Sequence, residues 1–182
     1  MILKTRKLKK NIQVPKCAKP TNSKTRKILF DLIKEVNFVS FLDLFAGSGV
    51  VGIESAFEGA KEITFVDKNI KSIKCINKNI KQCNLDESIQ IKVINKSHSQ
   101  FIKNSTKTYD IVFVDPPYEM VEFLELNNFT KLMNKRSILV LQIPTKKSIL
   151  LINKIKESNK YEIILQKKIG STSLIFLKLN YL

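Results

Sequence analysis

The chain has no tryptophan, one histidine, three cysteines, five glycines and five prolines in 182 residues. Each scarcity removes a class of function. His98 stands alone and Cys17, Cys75 and Cys83 show no CxxC spacing, so neither a zinc ligand set nor a disulfide framework is expected. The thiols read as reduced, in a cytoplasmic protein. No apolar run approaches the roughly 20 residues that span a bilayer, and MILKTRKLKK contains no apolar core of a secretory signal. Acid is also missing where it would be noticed. Residues 1–30 hold ten Lys or Arg and no Asp or Glu, whereas the remaining 152 hold 22 basic and 16 acidic residues.

The net charge is +16, with 29 lysines, 24 isoleucines and 15 asparagines. Compositional bias accounts for the richness in those three residues, but bias would spread the charge along the chain. A basic N-terminal arm that meets phosphates explains the asymmetry better. Arg6 and Arg26 are two of only three arginines, and arginine forks onto phosphate as lysine cannot. Residues 1–27 are read as an RNA-contacting arm and 28–182 as the domain that carries the chemistry.

Beyond the arm, two periodicities alternate. Strands are expected at 41–45, 62–67, 89–95, 110–115 and 137–143, with helices at 50–58, 70–83, 98–104 and 146–158 between and after them. Strands at 161–168 and 171–179, separated by Ile169 and Gly170, should close the chain as a hairpin. The expected fold is α/β: a Rossmann-like, seven-stranded, mostly parallel sheet with a C-terminal antiparallel hairpin and a basic N-terminal extension. Ligands of such sheets bind beyond the carboxyl ends of the strands. Asp43–Gly49, Asp67, Asn95–Ser97 and Asp115–Tyr118 fall there.

GSGVVG (47–52) fits G-x-G-x-x-G, with Asp67 twenty residues after Gly47 as a candidate ribose acceptor. A nicotinamide dinucleotide and an adenosyl cofactor fit that pattern equally. Asp43 before the glycines would spoil a pyrophosphate loop but suit the ammonium of a methionine moiety. DIVFVDPPY (110–118) then stops a buried strand on an acid and two prolines. The Pro-Pro pair is conformationally fixed. It presents the Asp115 carboxylate and the Pro116 carbonyl as two acceptors for the hydrogens of an exocyclic amine. Holding both hydrogens would expose the nitrogen lone pair for attack on a sulfonium methyl, which is catalysis by positioning. Tyr118 offers a stacking face for an extruded base.

With D-x-F-x-G-x-G after the first strand and DPPY after the fourth, the sequence resembles the class I S-adenosyl-L-methionine-dependent amino-methyltransferases. KPTNSKTRKILFDLI (19–33), DLFAGSGVVGIESAFEGA (43–60), Asp67, the Asn79–Ile80 pair, DPPY and the Gly170 hairpin follow the order of one subfamily. That subfamily is the bacterial 16S rRNA guanine-N2 methyltransferases. The resemblance implies cofactor contacts at Asp43, Phe45, Ala46, Gly47, Ser48, Gly49, Asp67 and Ser97. It implies a catalytic corner at Asp115, Pro116, Pro117 and Tyr118. RNA contacts are implied at Arg6, Lys9, Lys10, Pro20, Thr21 and Arg26, with no metal. Three departures stand out: KTRKLKKN keeps the charge of a glycine-rich basic stretch and loses its glycines, Ser97 replaces an acid or amide, and Gln142 replaces a glutamate on strand five. The implied partner is 16S rRNA in the small ribosomal subunit or an assembly intermediate; with no spare apolar element and no spanning run, a monomer without a membrane partner is expected. The alternatives are adenine-N6 methylation of DNA, a nicotinamide-dependent oxidoreductase, and an idle rRNA-binding assembly factor. Cofactor binding is expected to be independent of residues 1–15.

Overall fold

The computed structural model describes residues 2–4 (backbone only), 11–15, 21–34 and 38–180. Arg6, Lys9, Lys10, Cys17 and Pro20 lie outside the described residues. Two compact units divide the chain, Met1–His98 and Ser99–Leu182.

The first unit begins with two short strands, β1 (Ile2–Lys4) and β2 (Asn11–Gln13), paired antiparallel with Leu3 opposite Ile12. The sequence gives no alternation that would have marked them. Helix α1 (Ser23–Ile33) follows, its first turn capped by Asn22, whose side chain accepts from the Thr25 N–H at 2.8 Å. The arm boundary expected at residue 27 falls inside this helix. Leu29, Phe30 and Ile33 recur at helical spacing and are buried.

Strand β3 (Ser40–Leu44), helix α2 (Val50–Phe57), strand β4 (Glu62–Asp67), helix α3 (Ile70–Cys83) and strand β5 (Gln90–Asn95) then alternate. Their strands are parallel in the order β5-β4-β3, with Leu44 opposite Val66 and Asp67 opposite Asn95. That register brings the three strand ends to one edge. The apolar stripe of α3 is buried through Ile73, Ile76 and Cys83, and Asn84 ends the helix in a left-handed conformation at φ 47°.

The second unit contains most of α4 (His98–Asn104), then β6 (Ile111–Val114), two 3-10 segments (Tyr118–Phe123 and Leu126–Leu132), β7 (Ile138–Pro144), α5 (Thr145–Ser158), β8 (Tyr161–Ile169) and β9 (Thr172–Leu179). Strand order here is β6-β7-β9-β8: β6 and β7 run parallel, and β9 pairs antiparallel with both β7 and β8. The hairpin turns at Gly170, where φ is 61°, and Ser171, one residue later than the sequence suggests. With five strands in parallel pairings and a terminal hairpin, the seven strands of the larger sheet are the mostly parallel α/β arrangement expected.

Candidate active site

In the first unit the candidate cluster is the turn that carries β3 into α2. Phe45, Gly47 and Gly49 all adopt left-handed backbone, at φ 73°, 57° and 75°. Glycine takes this region freely, but in Phe45 it stores strain of about 1–3 kcal/mol. The surroundings impose it: the Phe45 and Ala46 N–H groups both donate to the Val66 carbonyl at 3.0 Å, and the Gly49 N–H donates to the Ala46 carbonyl at 2.7 Å. The Phe45 ring lies against the His98 imidazole, with centroids 4.8 Å apart. His98, the lone histidine, is thereby packed on the turn.

Two carboxylates border this turn. Asp43 is buried, and its Oδ2 accepts from the Gly52 N–H at 2.9 Å, answering a donor that the first turn of α2 cannot satisfy itself. Asp67 accepts from the Gly47 N–H through Oδ2 and from the Asn69 N–H through Oδ1, each at 2.8 Å. Asn95 Nδ2 donates to the Asp67 carbonyl at 3.0 Å, so the ends of β4 and β5 are tied together. Ser97 is half-buried immediately before α4.

These contacts fit an adenosyl-methionine ligand better than a dinucleotide. Residues 43–52 contain no Lys or Arg, and the helix terminus that would receive a pyrophosphate already holds the Asp43 carboxylate. A ribose diol and an ammonium would each meet an acceptor. The smallness of Gly49 and Gly52 has another origin. A Cβ on Gly49 would stand 3.1 Å from Ile76 Cγ1, and one on Gly52 only 2.3 Å from Phe65 Cε1. Those glycines admit protein neighbours.

Buried under the turn is a residue to which the sequence assigned no role. Asn79 of α3 is fully buried, and its Nδ2 donates to the Ser48 carbonyl at 2.9 Å. The same amide pairs with the backbone of Gln13 in β2, accepting from its N–H at 2.9 Å and donating to its carbonyl at 2.8 Å. Cys75 Sγ adds a contact to that carbonyl at 3.2 Å. One side chain thus holds both the N-terminal strand and the glycine turn.

A separate cluster, in the second unit, lies where β6 ends. Ile111–Val114 are all buried, and the two prolines then carry the chain out, Pro116 buried and Pro117 exposed at φ −51° and ψ 144°. Gln142 of β7 donates from Nε2 to Asp115 Oδ2 at 2.7 Å. Tyr118 is 41% exposed, and its carbonyl accepts from Lys147 Nζ at 3.0 Å. Lys147 also pairs with Glu122 at 2.8 Å, and this hydrogen bond holds the Glu122 carboxyl below its usual range. The DPPY corner is thereby braced by β7 on its acid and by α5 on its tyrosine.

The expected RNA contacts at Thr21 and Arg26 are corrected by burial. Arg26 is 1% exposed; its Nη1 donates to the Thr21 carbonyl at 2.5 Å, and its Nε lies 3.1 Å from Glu54 Oε1. Thr21 is itself buried. The guanidinium locks α1 to α2. Charge counting along the sequence could not distinguish an internal arginine from a phosphate-binding one. Its partner Glu54, 28 residues away, became visible only in the fold.

The comparisons with known proteins agree with this architecture. The Escherichia coli methyltransferase yhhF superposes with a TM-score of 0.78 at 20% identity, covering 94% of this chain and 93% of that one. The methyltransferase SMU.776, solved with SAH, matches at TM-score 0.72 and 13% identity over 85% of this chain and 49% of its own. The chain shares the fold of these two proteins. In sequence, the chain is 34% identical over 137 residues to Ribosomal RNA small subunit methyltransferase D of Buchnera aphidicola, spanning 72% of this chain and 70% of that protein. A family model matches residues 2–178, and the chain belongs to that family, Conserved hypothetical protein 95.

Proposed function

We propose that this protein transfers the methyl group of S-adenosyl-L-methionine to the exocyclic N2 amine of one guanine in 16S rRNA, in the small subunit or an assembly intermediate. The carrying observation is the DPPY corner, with Asp115 fixed by Gln142 and an exposed Tyr118 ring beside it. Kinship to a protein named for small-subunit ribosomal RNA methylation supports the choice of substrate.

The cofactor supplies an electrophilic sulfonium methyl. In this reading the chain's own residues bind and orient. Asp67 accepts from the ribose hydroxyls, Asp43 faces the ammonium, and Phe45 with Ala46, Gly47, Ser48, Gly49 and Ser97 forms the remaining wall. Asp115 and the Pro116 carbonyl each accept one N–H of the guanine amine, so the nitrogen lone pair points outward without prior deprotonation. The amine loses a proton after transfer, and Asp115, which holds one of its N–H groups in this reading, can take it. Stacking on Tyr118 contributes roughly 1–3 kcal/mol to holding the extruded base. The basic residues of the N-terminal segment, Arg6, Lys9 and Lys10 among them, supply the phosphate-binding charge. The protein works as a cytoplasmic monomer.

The test is methyl transfer to small subunits and their rRNA purified from cells lacking the gene, with the product nucleotide mapped. A single N2-methylguanine is expected. N6-methyladenine in DNA, or tight rRNA binding with no transfer to subunits or intermediates, would replace this reading with one of its rivals.

A further inference from the structure

We infer that Gln142 is a positioning residue for the transfer step: its amide aims the Asp115 carboxylate and, being an amide, does so without sharing a proton with it. The inference rests on the reading of Asp115 as the group that holds the substrate amine.

In the parallel ladder, Val114 of β6 is opposite Leu141 of β7, so Gln142 comes one residue beyond, alongside Asp115. The 2.7 Å contact joins Gln142 Nε2 to Asp115 Oδ2. A carboxylate only accepts, so the amide must present its NH₂ end. The opposite end is telling: Gln142 Oε1 is buried and meets no hydrogen-bond partner among the described residues. Leaving a buried amide oxygen unanswered is destabilising, and an aliphatic side chain of similar volume would avoid it. The orphan oxygen is tolerated where the other end of the same amide serves Asp115. A glutamate at this place would bring two carboxylates within hydrogen-bond distance, and such a pair ionises fully only after giving up a shared proton.

Other charged groups around the corner come from α5 and the Tyr118–Phe123 segment: Lys147, Glu119 and Glu122. Lys147 and Glu122 are engaged with each other, and Glu122 stays ionised through neutral pH. Because these surroundings are common to wild type and Gln142→Glu, the difference between their pH profiles reads the pair formed by residues 115 and 142.

The experiment compares the full-length wild type with Gln142→Ala, Gln142→Leu and Gln142→Glu in transfer to small subunits from about pH 6 to 9. Gln142→Ala and Gln142→Leu are expected to lower kcat about 10- to 100-fold while leaving KM for the methyl donor and affinity for SAH unchanged. Gln142→Leu, which removes the orphan oxygen and keeps the volume, should melt no lower than wild type. Gln142→Glu should approach wild-type rate at the acid end, where the pair retains a proton, and fall as pH rises; the wild type stays flat. A wild-type kcat in Gln142→Ala, or a Gln142→Glu profile superimposable on wild type, overturns the proposal. Absence of transfer by the wild type would instead sink the substrate assignment. The carboxyl ¹³C resonance of Asp115 still decides the role of Gln142 in that case: one titration step in wild type and two coupled steps in Gln142→Glu are expected, and a single unshifted step in both refutes it.

Discussion

The proposed mechanism concentrates the chemistry in one carboxylate, Asp115, so its replacement should separate binding from turnover. Asp115→Ala is expected to abolish methyl transfer while RNA binding, measured by filter retention, remains close to wild type. Near wild-type turnover would remove Asp115 from the reaction. Gly52 makes a different demand. Its added Cβ would meet the Phe65 ring at 2.3 Å, and that ring is fully buried under α2. Gly52→Ala should therefore lose about 1–3 kcal/mol in chemical denaturation, without touching the ligand. Arg26 belongs to the interior in the same sense. Arg26→Ala strands the Glu54 carboxylate in a nearly dry setting, where breaking one side of an ion pair costs about 3–5 kcal/mol. Its effect on RNA affinity, measured on whatever protein stays folded, should be small.

Among the elements, the 3-10 segments between β6 and β7 are tied to α5 and β8 by side chains. Tyr161 of β8 donates its hydroxyl to the Leu126 carbonyl at 2.6 Å, and burial pushes that hydroxyl's pKa upward. Tyr161→Phe should lower stability by about 1 kcal/mol, read as a drop in Tm. The Lys147–Glu122 pair acts on the neighbouring segment. Because the Glu122 carboxyl is depressed when folded, its stabilising effect is complete above the ordinary glutamate pKa and disappears as pH falls through the lower folded value. The order of the regular elements was legible in the sequence because each repeats a period. Ile73, Ile76 and Ile80 mark α3, the run Ile111–Val114 marks β6, and Gly170 marks the hairpin. The 3-10 segments have no such period, and β1 and β2 are only three residues each. Among the candidate site residues, DPPY and the glycine turn stand out in the sequence by their spacing. Asn79 and Gln142 are marked there only by the family resemblance and without a role, because an amide's importance depends on which backbone or carboxylate the fold sets opposite it.

For the molecule as a whole, the two functions assigned to the first unit, holding phosphate chains and holding the methyl donor, meet at one side chain. The sequence suggested that residues 1–15 could be removed without cost to cofactor binding. Asn79 argues otherwise, since its amide grips Gln13 and the Ser48 carbonyl together. Truncation of residues 1–15 should weaken SAH binding in calorimetry by about 1 kcal/mol, roughly fivefold. Asn79→Ala should do the same, and the combined variant should be no worse than either alone. Full additivity, or no change on truncation, would show the two contacts to be energetically separate. If they are joined, thermodynamic reciprocity follows: whatever RNA does to cofactor affinity, the cofactor does equally to RNA affinity. The nucleic acid then acts as a heterotropic effector as well as a substrate. A coupling of positive sign would make the donor-loaded protein the form that captures its target, and loss of the spent cofactor the event that loosens the grip on the product.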